Sequence, residues 1–261
     1  VYYKESYFAF CKSLDSIFTQ TTCPDEVILV EDGPLSSELN DIISEYSAKY
    51  PTLKIIPLPT NQGLGKALNE GLKHCSYDIV ARMDTDDIAK PDRFEKQLAV
   101  FEKYLDIDVV GAWIDEFEDD ISDVKSVRKL PELPDDIRQF AKRRNPINHP
   151  VVMFRKSAVL AAGGYQHFPL FEDYYLWIRM LMNGAKFYNI QESLLYFRFS
   201  PEMFKRRGGW RYVISELHFL QKMRQMHFIS FSEFMQNLFV RFSIRLIPNS
   251  LRAIVYTKLI R

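Results

Sequence analysis

Three carboxylates crowd into four residues at Asp84-Thr85-Asp86-Asp87. Like charges this close repel, and either a hard divalent cation or a well-solvated loop relieves them. Acidic loops are more often solvated than metal-binding, but a position directly after a strand favours a site. A second acidic pair, Glu172-Asp173, heads the aromatic-rich run Tyr174-Tyr175-Leu176-Trp177. Acids in a first helical turn complement the helix dipole; the same placement suits a general base at the rim of an aromatic pocket. Asp32 sits in the turn Glu31-Asp32-Gly33-Pro34, and His149 lies between Asn148 and Pro150. A single histidine is more often structural than a ligand.

Several other chemistries are excluded by spacing. Gly63-Leu64-Gly65-Lys66 lacks the third glycine of a dinucleotide fingerprint, because Leu68 stands there. It also lacks the earlier glycine and the following Ser or Thr of a phosphate-binding P-loop, having Thr60 and Ala67 instead. No Gly-x-Ser-x-Gly elbow supports a serine hydrolase. Cys11, Cys23 and Cys75 show no metal spacing, and their odd number speaks against a disulfide framework and for a reduced, cytoplasmic protein.

The elements that must position these groups follow an α/β rhythm over residues 1–120. Glu26–Val30 is an apolar, β-branched run of strand length. Leu39, Ile42, Ile43 and Tyr46 recur at helical spacing. Strands are predicted over Leu53–Leu58, Tyr77–Met83 and Asp108–Phe117, and helices over Gly63–Cys75 and from Pro91 at a first helical position. Residues 118–150 read as irregular and charged. From Val151 a strand, a Gly163-Gly164 turn and an amphipathic helix Glu172–Asn183 follow. Ligands of open α/β sheets bind beyond the carboxyl ends of the strands, so Asp32 and the Asp84–Asp87 group are expected at one sheet edge.

With 47% hydrophobic and 26% charged residues, the 261-residue chain can bury a sizeable core. No apolar run is long enough for a membrane-spanning helix. The formal net charge of zero hides a division: residues 201–261 carry eleven basic and only three acidic side chains, so they stand at +8 against −8 for residues 1–200. This divides the chain into a domain over 1–200 and a basic, helical C-terminal extension over 201–261, interrupted by Pro248. Nucleic acid is not an expected partner, because the basic residues alternate with bulky apolar ones and form no known module. An anionic membrane surface fits better; docking of the basic segment on the acidic main body is the alternative.

Taken in order, the motifs resemble glycosyltransferase family 2, whose members are inverting enzymes with a GT-A fold. The resemblance covers roughly residues 1–200. Val1-Tyr2-Tyr3-Lys4-Glu5 is similar to the family's opening strand and loop, with Tyr3 at a more usual Asn position. Val30-Glu31-Asp32-Gly33 resembles the loop whose second acid contacts the nucleobase, with Pro34 where Ser is frequent. Asn61-x-Gly63-x-x-x-Ala67-x-Asn69-x-Gly71 matches a further family pattern in full. Asp84-x-Asp86 resembles the DxD motif, and Glu172-Asp173 the acidic pair that holds the catalytic base. The implied fold is a mixed, mostly parallel central sheet flanked by helices.

Within the family the chain is similar to bacterial enzymes that build O-antigen, capsule or exopolysaccharide repeats on a polyprenyl pyrophosphate lipid. It lacks the Gln-x-x-Arg-Trp motif of processive synthases, so one sugar per encounter is implied. The resemblance implies a UDP-hexose donor, galactose or glucose, and a lipid-linked saccharide acceptor. It places Tyr2, Glu5, Asp32, Lys66 and Asp84 at the nucleotide sugar, and Asp86 with Asp84 at a Mn²⁺ or Mg²⁺ ion. Asp173 is implied as the base that gives a β-linked product from an α-linked donor, with Glu172 in support. His149 is a metal, phosphate or acceptor contact in this reading. The implied location is the cytoplasm, peripheral at the inner face of the plasma membrane. A competing reading is a non-catalytic nucleotide-sugar-binding partner in a polysaccharide machine; an intact Asp86 and Asp173 argue against it.

Overall fold

In the computed structural model, which describes residues 1–199 and 209–246, the expected opening strand is reduced to Val1. Its carbonyl accepts from Asp32 N at 2.8 Å, beside the end of the first true strand. Helix α1 (Tyr7–Phe18) follows, turning Phe10 and Leu14 inward. Strands β1 (Val27–Glu31) and β2 (Leu53–Pro57) lie in parallel register, Val27 opposite Leu53. Parallel neighbours need a crossover, supplied by α2 (Ser37–Lys49). Ser36 caps that helix, accepting from Leu39 N at 3.4 Å, and Leu39, Ile42, Ile43 and Tyr46 form its buried face, as the spacing predicts. Helix α3 (Leu64–His74) packs close on β1 through Gly71, where an added Cβ would lie 3.1 Å from the Val30 side chain.

The second sheet runs β3-β7-β5-β8-β4, with β6 against the far end of β5. Its strands are β3 (Ile79–Ala81), β4 (Ile88–Ala89), β5 (Val109–Phe117), β6 (Ser126–Arg128), β7 (Met153–Arg155) and β8 (Phe187–Arg198). The mostly parallel sheet is corrected here. Among the described residues only β1–β2 and β5–β8 pair in parallel, and the other four ladders are antiparallel. Strands β4, β6 and β7 are only two or three residues long, and β6 follows its partner β5 through a short reversing connection.

Helix α4 (Arg93–Lys103) starts two residues after Pro91, with Asp92 at its cap. The supposedly irregular stretch 118–150 holds β6 and helix α5 (Pro134–Ala141), which buries only Ile137 and Ala141. Two apolar positions four apart are too weak a period to stand out in sequence. Helices α6 (Lys156–Ala161) and α7 (Glu172–Met182) complete the main body.

Helix α7 is expected to be amphipathic, yet every residue from Tyr174 to Leu181 is buried. Its second face is covered by α8 (Gly209–Gln225), whose Phe219 stacks on Phe171 with centroids 5.0 Å apart and lies 4.6 Å from Tyr174. Phe219, Leu220 and Met223 join Trp177, Ile178 and Phe187 in one core. Burying a Phe of this kind stabilises by about 1.5–3 kcal/mol. Helix α9 (Phe231–Leu246) then ties back to the segment after α5: Lys142 pairs with Glu233 at 2.8 Å, Asn237 Nδ2 donates to Lys142 O, and Arg241 pairs with Glu216. The described part of the basic extension therefore shares the main core. The break expected at Pro248, and Arg245, Leu251 and Lys258 with it, lies outside the described residues or side chains. No helix of the described residues is long and apolar enough to cross a membrane.

Candidate active site

The first carboxylate is fixed by backbone. Gly33, just after Asp32, has φ of +90°, and an added Cβ would sit 2.6 Å from Asn61 N. Only glycine accepts both constraints. The tight approach lets the Asp32 carboxylate accept from Gln62 N at 2.7 Å and Gly63 N at 3.0 Å. The glycine-rich start of α3, uninformative by itself, thus braces Asp32 at the cleft wall.

At the end of β3 the three aspartates have separate fates. Asp84 faces Arg82 in a two-pronged ion pair, one arm at 2.8 Å, and its carbonyl accepts from Ser13 Oγ. Asp87 is fully buried and accepts from Arg198 N at 2.8 Å, anchoring the end of β8. Burial, then Asp84 and Asp86, push its carboxyl up strongly. Asp86 is half-buried in the cleft; burial and then Asp84 raise it too. Glu5 is pushed up to about 7, first by burial and then by Asp86.

Carboxyls raised in this way by burial and by one another mark a place where added positive charge is favourable. Among the described residues no three His, Cys, Asp or Glu side chains converge as a cage. A hard cation here would be held by one or two carboxylates and completed by phosphate oxygens and water. The donor set fits an ion that arrives with a diphosphate.

Across the cleft, Asp173 lies in the first turn of α7 and accepts from Asn145 Nδ2 at 2.7 Å. Glu172 beside it is raised by burial and then by Asp173, and His167 Nδ1 stands 3.8 Å away. Asn69 clamps the backbone of Tyr165 at both ends, donating to its carbonyl at 2.7 Å and accepting from its N–H at 2.8 Å. The Asn-x-Gly pattern therefore joins α3 to the α7 side of the cleft. The hydroxyl of Tyr165 meets His149 Nε2 at 2.9 Å, and burial, then Arg82, hold that imidazole neutral.

One cleft of about 1760 Å³ gathers Tyr2, Glu5, Asp32, Asp84, Asp86, His149, Glu172 and Asp173. Lys66 is the exception: it is exposed and does not line the cleft, because α3 turns Ala67, Gly71 and Leu72 to the sheet and leaves Lys66 in solvent. Arg82, Asn145 and Tyr165 line the site and escaped the sequence reading. Their signal is spatial: Asn145 and Asp173 are far apart in the chain.

A recess that gathers Asp32, Asp84 and Asp86 with a carboxylate held by Asn145 suits transfer of an activated sugar. The family model described as "Glycosyl transferase family 2" matches residues 2–160. The chain belongs to glycosyltransferase family 2. It is therefore a glycosyltransferase. It is 40% identical over 261 residues to the Escherichia coli UDP-Gal:alpha-D-GlcNAc-diphosphoundecaprenol beta-1,3-galactosyltransferase, covering all of this chain and 94% of that relative. It is 38% identical to the amylovoran biosynthesis glycosyltransferase AmsE of Erwinia amylovora, over 94% of this chain and 91% of the relative. Among solved structures, S. aureus TarS aligns with a TM-score of 0.64 at 19% identity, over 100% of this chain and 44% of TarS. A mannosyltransferase from Pyrobaculum calidifontis, solved with GDP-Man and Mn²⁺, aligns at 0.59 and 18% identity, over 87% and 62%. These likenesses show the GT-A fold expected of the family.

Proposed function

We propose that the protein transfers galactose from UDP-galactose to an N-acetylglucosamine carried on a lipid diphosphate, with inversion at the anomeric carbon. The observation that carries this reading is Asp173, held by Asn145 at 2.7 Å in the same cleft as Asp32 and Asp86. The full-length likeness to a galactosyltransferase with that donor and acceptor supports the choice of sugars.

In this mechanism Asp32 receives the base and Tyr2 packs on it, while Asp84, steadied by Arg82, faces the ribose. Asp86 would hold a Mn²⁺ or Mg²⁺ ion together with the donor diphosphate, where such an ion offsets charge on the departing UDP. Asp173 takes the proton of the acceptor hydroxyl as that oxygen attacks the face of the anomeric carbon opposite UDP. Asn145 fixes the carboxylate's direction, and Glu172 supports the acceptor. A neutral His149, bonded to Tyr165, is suited to a hydrogen bond with sugar or phosphate rather than to charge pairing.

The enzyme would work in the cytoplasm, peripherally at the inner face of the plasma membrane, with the basic C-terminal extension against anionic lipid. Support comes from the excess of basic residues after position 200 and from Phe231, Met235 and Phe239, which are 64%, 45% and 75% exposed along α9. Co-sedimentation with anionic liposomes at low and at high salt tests this part: no binding at low salt would end it. Incubation of UDP-galactose with a GlcNAc-diphosphate-lipid acceptor tests the reaction. Transfer is expected with this pair, and turnover only with another donor or with a phosphate-free acceptor would overturn the assignment.

A further inference from the structure

Beyond the carboxylates of the donor end, the cleft is lined by a second group of charges of both signs, the acids Asp136, Glu216 and Glu233 among them. This other end is built by the segment after α5 and by α8 and α9, and it presents Lys142, Arg143, Arg144 and Arg241 to the cleft. The acids contributed there by α8 and α9 are each met by a base, Glu216 by Arg241 and Glu233 by Lys142. Arg143 differs from those two bases. Its carbonyl accepts from Arg241 at 2.7 Å, which fixes its backbone, while its side chain is exposed and no ion pair holds its guanidinium among the described residues. It stands two residues before Asn145, whose amide holds Asp173. A cation without an ion pair among the described residues thus lines the same cleft as Asp173.

We infer that Arg143, with Arg144 beside it, binds the diphosphate of the lipid-linked acceptor. The inference rests on the acceptor chemistry proposed above. A pyranose with one hydroxyl at Asp173 carries its anomeric diphosphate a ring's width away, and the planar guanidinium pairs two phosphate oxygens at once. Val240 forms an apolar lip on this end of the cleft, and the exposed row Phe231, Met235 and Phe239 continues along the same helix. The prenyl chain leaves the diphosphate over that lip. Basic residues after a helix end also complement its dipole, which is a purely structural role for Arg143; that role has no dependence on acceptor phosphate.

The decisive comparison uses two acceptors, a GlcNAc-diphosphate-alkyl and the same alkyl glycoside without phosphate. Wild type is expected to prefer the diphosphate. Arg143→Ala should cut that preference about ten- to hundredfold, through acceptor KM, which is the size of a lost charge-assisted hydrogen bond. Arg143→Lys should restore part of it, and Arg143→Glu should lower it further. An unchanged preference in Arg143→Ala, or an equal loss on both acceptors, overturns the inference. Farnesyl diphosphate titrated into UDP-saturated protein gives a readout independent of turnover. Weaker binding to Arg143→Ala supports the subsite, and equal binding to both proteins rejects it. Absence of galactose transfer alongside Arg143-dependent farnesyl diphosphate binding would instead count against the proposed reaction.

Discussion

The two ends of the cleft treat their carboxylates differently. At the donor end Glu5 is raised to about 7 and Asp86 is raised with it, because burial and neighbouring carboxylates outweigh the bases nearby. At the acceptor end Glu233 is lowered, chiefly by its hydrogen bond from Lys142. Added positive charge is favourable at the donor end. At the other end Glu216 and Glu233 are each paired with a base, Glu172 is raised by burial and by Asp173, and Arg143 has no ion pair among the described residues. On the reading proposed above, the donor diphosphate meets the carboxylates of one end and the acceptor diphosphate meets Arg143 at the other.

Breaking the donor end should have the largest effect. Asp86→Ala is expected to abolish metal-dependent UDP binding and, with it, transfer; calorimetry with UDP and Mn²⁺ checks this, and unchanged metal-dependent affinity would remove Asp86 from the site. Next comes the base between the two ends. Asp173→Asn keeps the shape and cannot accept a proton, so UDP affinity should survive while transfer falls by about 10²–10⁴-fold. Asn145→Ala should move the same rate in the same direction by a smaller factor, since it loses only the hydrogen bond that aims Asp173. Near-normal kcat in Asp173→Asn would assign the base elsewhere, with Glu172 the adjacent candidate.

The smallest effect is on stability and reads the donor end alone. Glu5 has a folded pKa of about 7 against an ordinary value of 4.5. The folded protein therefore holds that proton more tightly than the unfolded chain does, and stability is lost as pH rises from about 4.5 to about 7. Glu5→Gln should flatten this slope in metal-free protein, as followed by thermal unfolding from pH 4.5 to 8. A slope unchanged by the substitution would mean that Glu5 is not what titrates.

The same contrast explains what could be read from sequence. The donor end is assembled from contiguous motifs at strand ends, so Asp32, Asp84 and Asp86 were visible as short patterns. Even there, contiguity misled at two places. Asp87 belongs to the buried anchor of β8 and not to the cleft, and Lys66 follows a glycine-rich turn yet points to solvent. The acceptor end is assembled from α5, the 142–149 segment, α7, α8 and α9, which are distant in sequence. No spacing rule relates Asn145 to Asp173 or Lys142 to Glu233. The basic composition of the extension was plain, but its docking depends on Phe219 and Asn237 meeting partners that the main body supplies. Periodicity identified α2 and β5 because each buries a regular face or a whole run. It passed over α1, whose exposed Phe8 blurs the pattern set by Phe10 and Leu14, and β8, whose middle residues Gln191 and Glu192 are polar and exposed.

The central claim is a single displacement at the anomeric carbon, driven by Asp173 and fed by UDP-galactose. Its most direct test is the proton NMR spectrum of the disaccharide product formed on a GlcNAc-diphosphate-lipid acceptor. The expected result is a large anomeric coupling of the newly transferred galactose, the mark of a β linkage made from an α-linked donor. A small coupling, showing retention of the α configuration, would contradict the account whatever the yield.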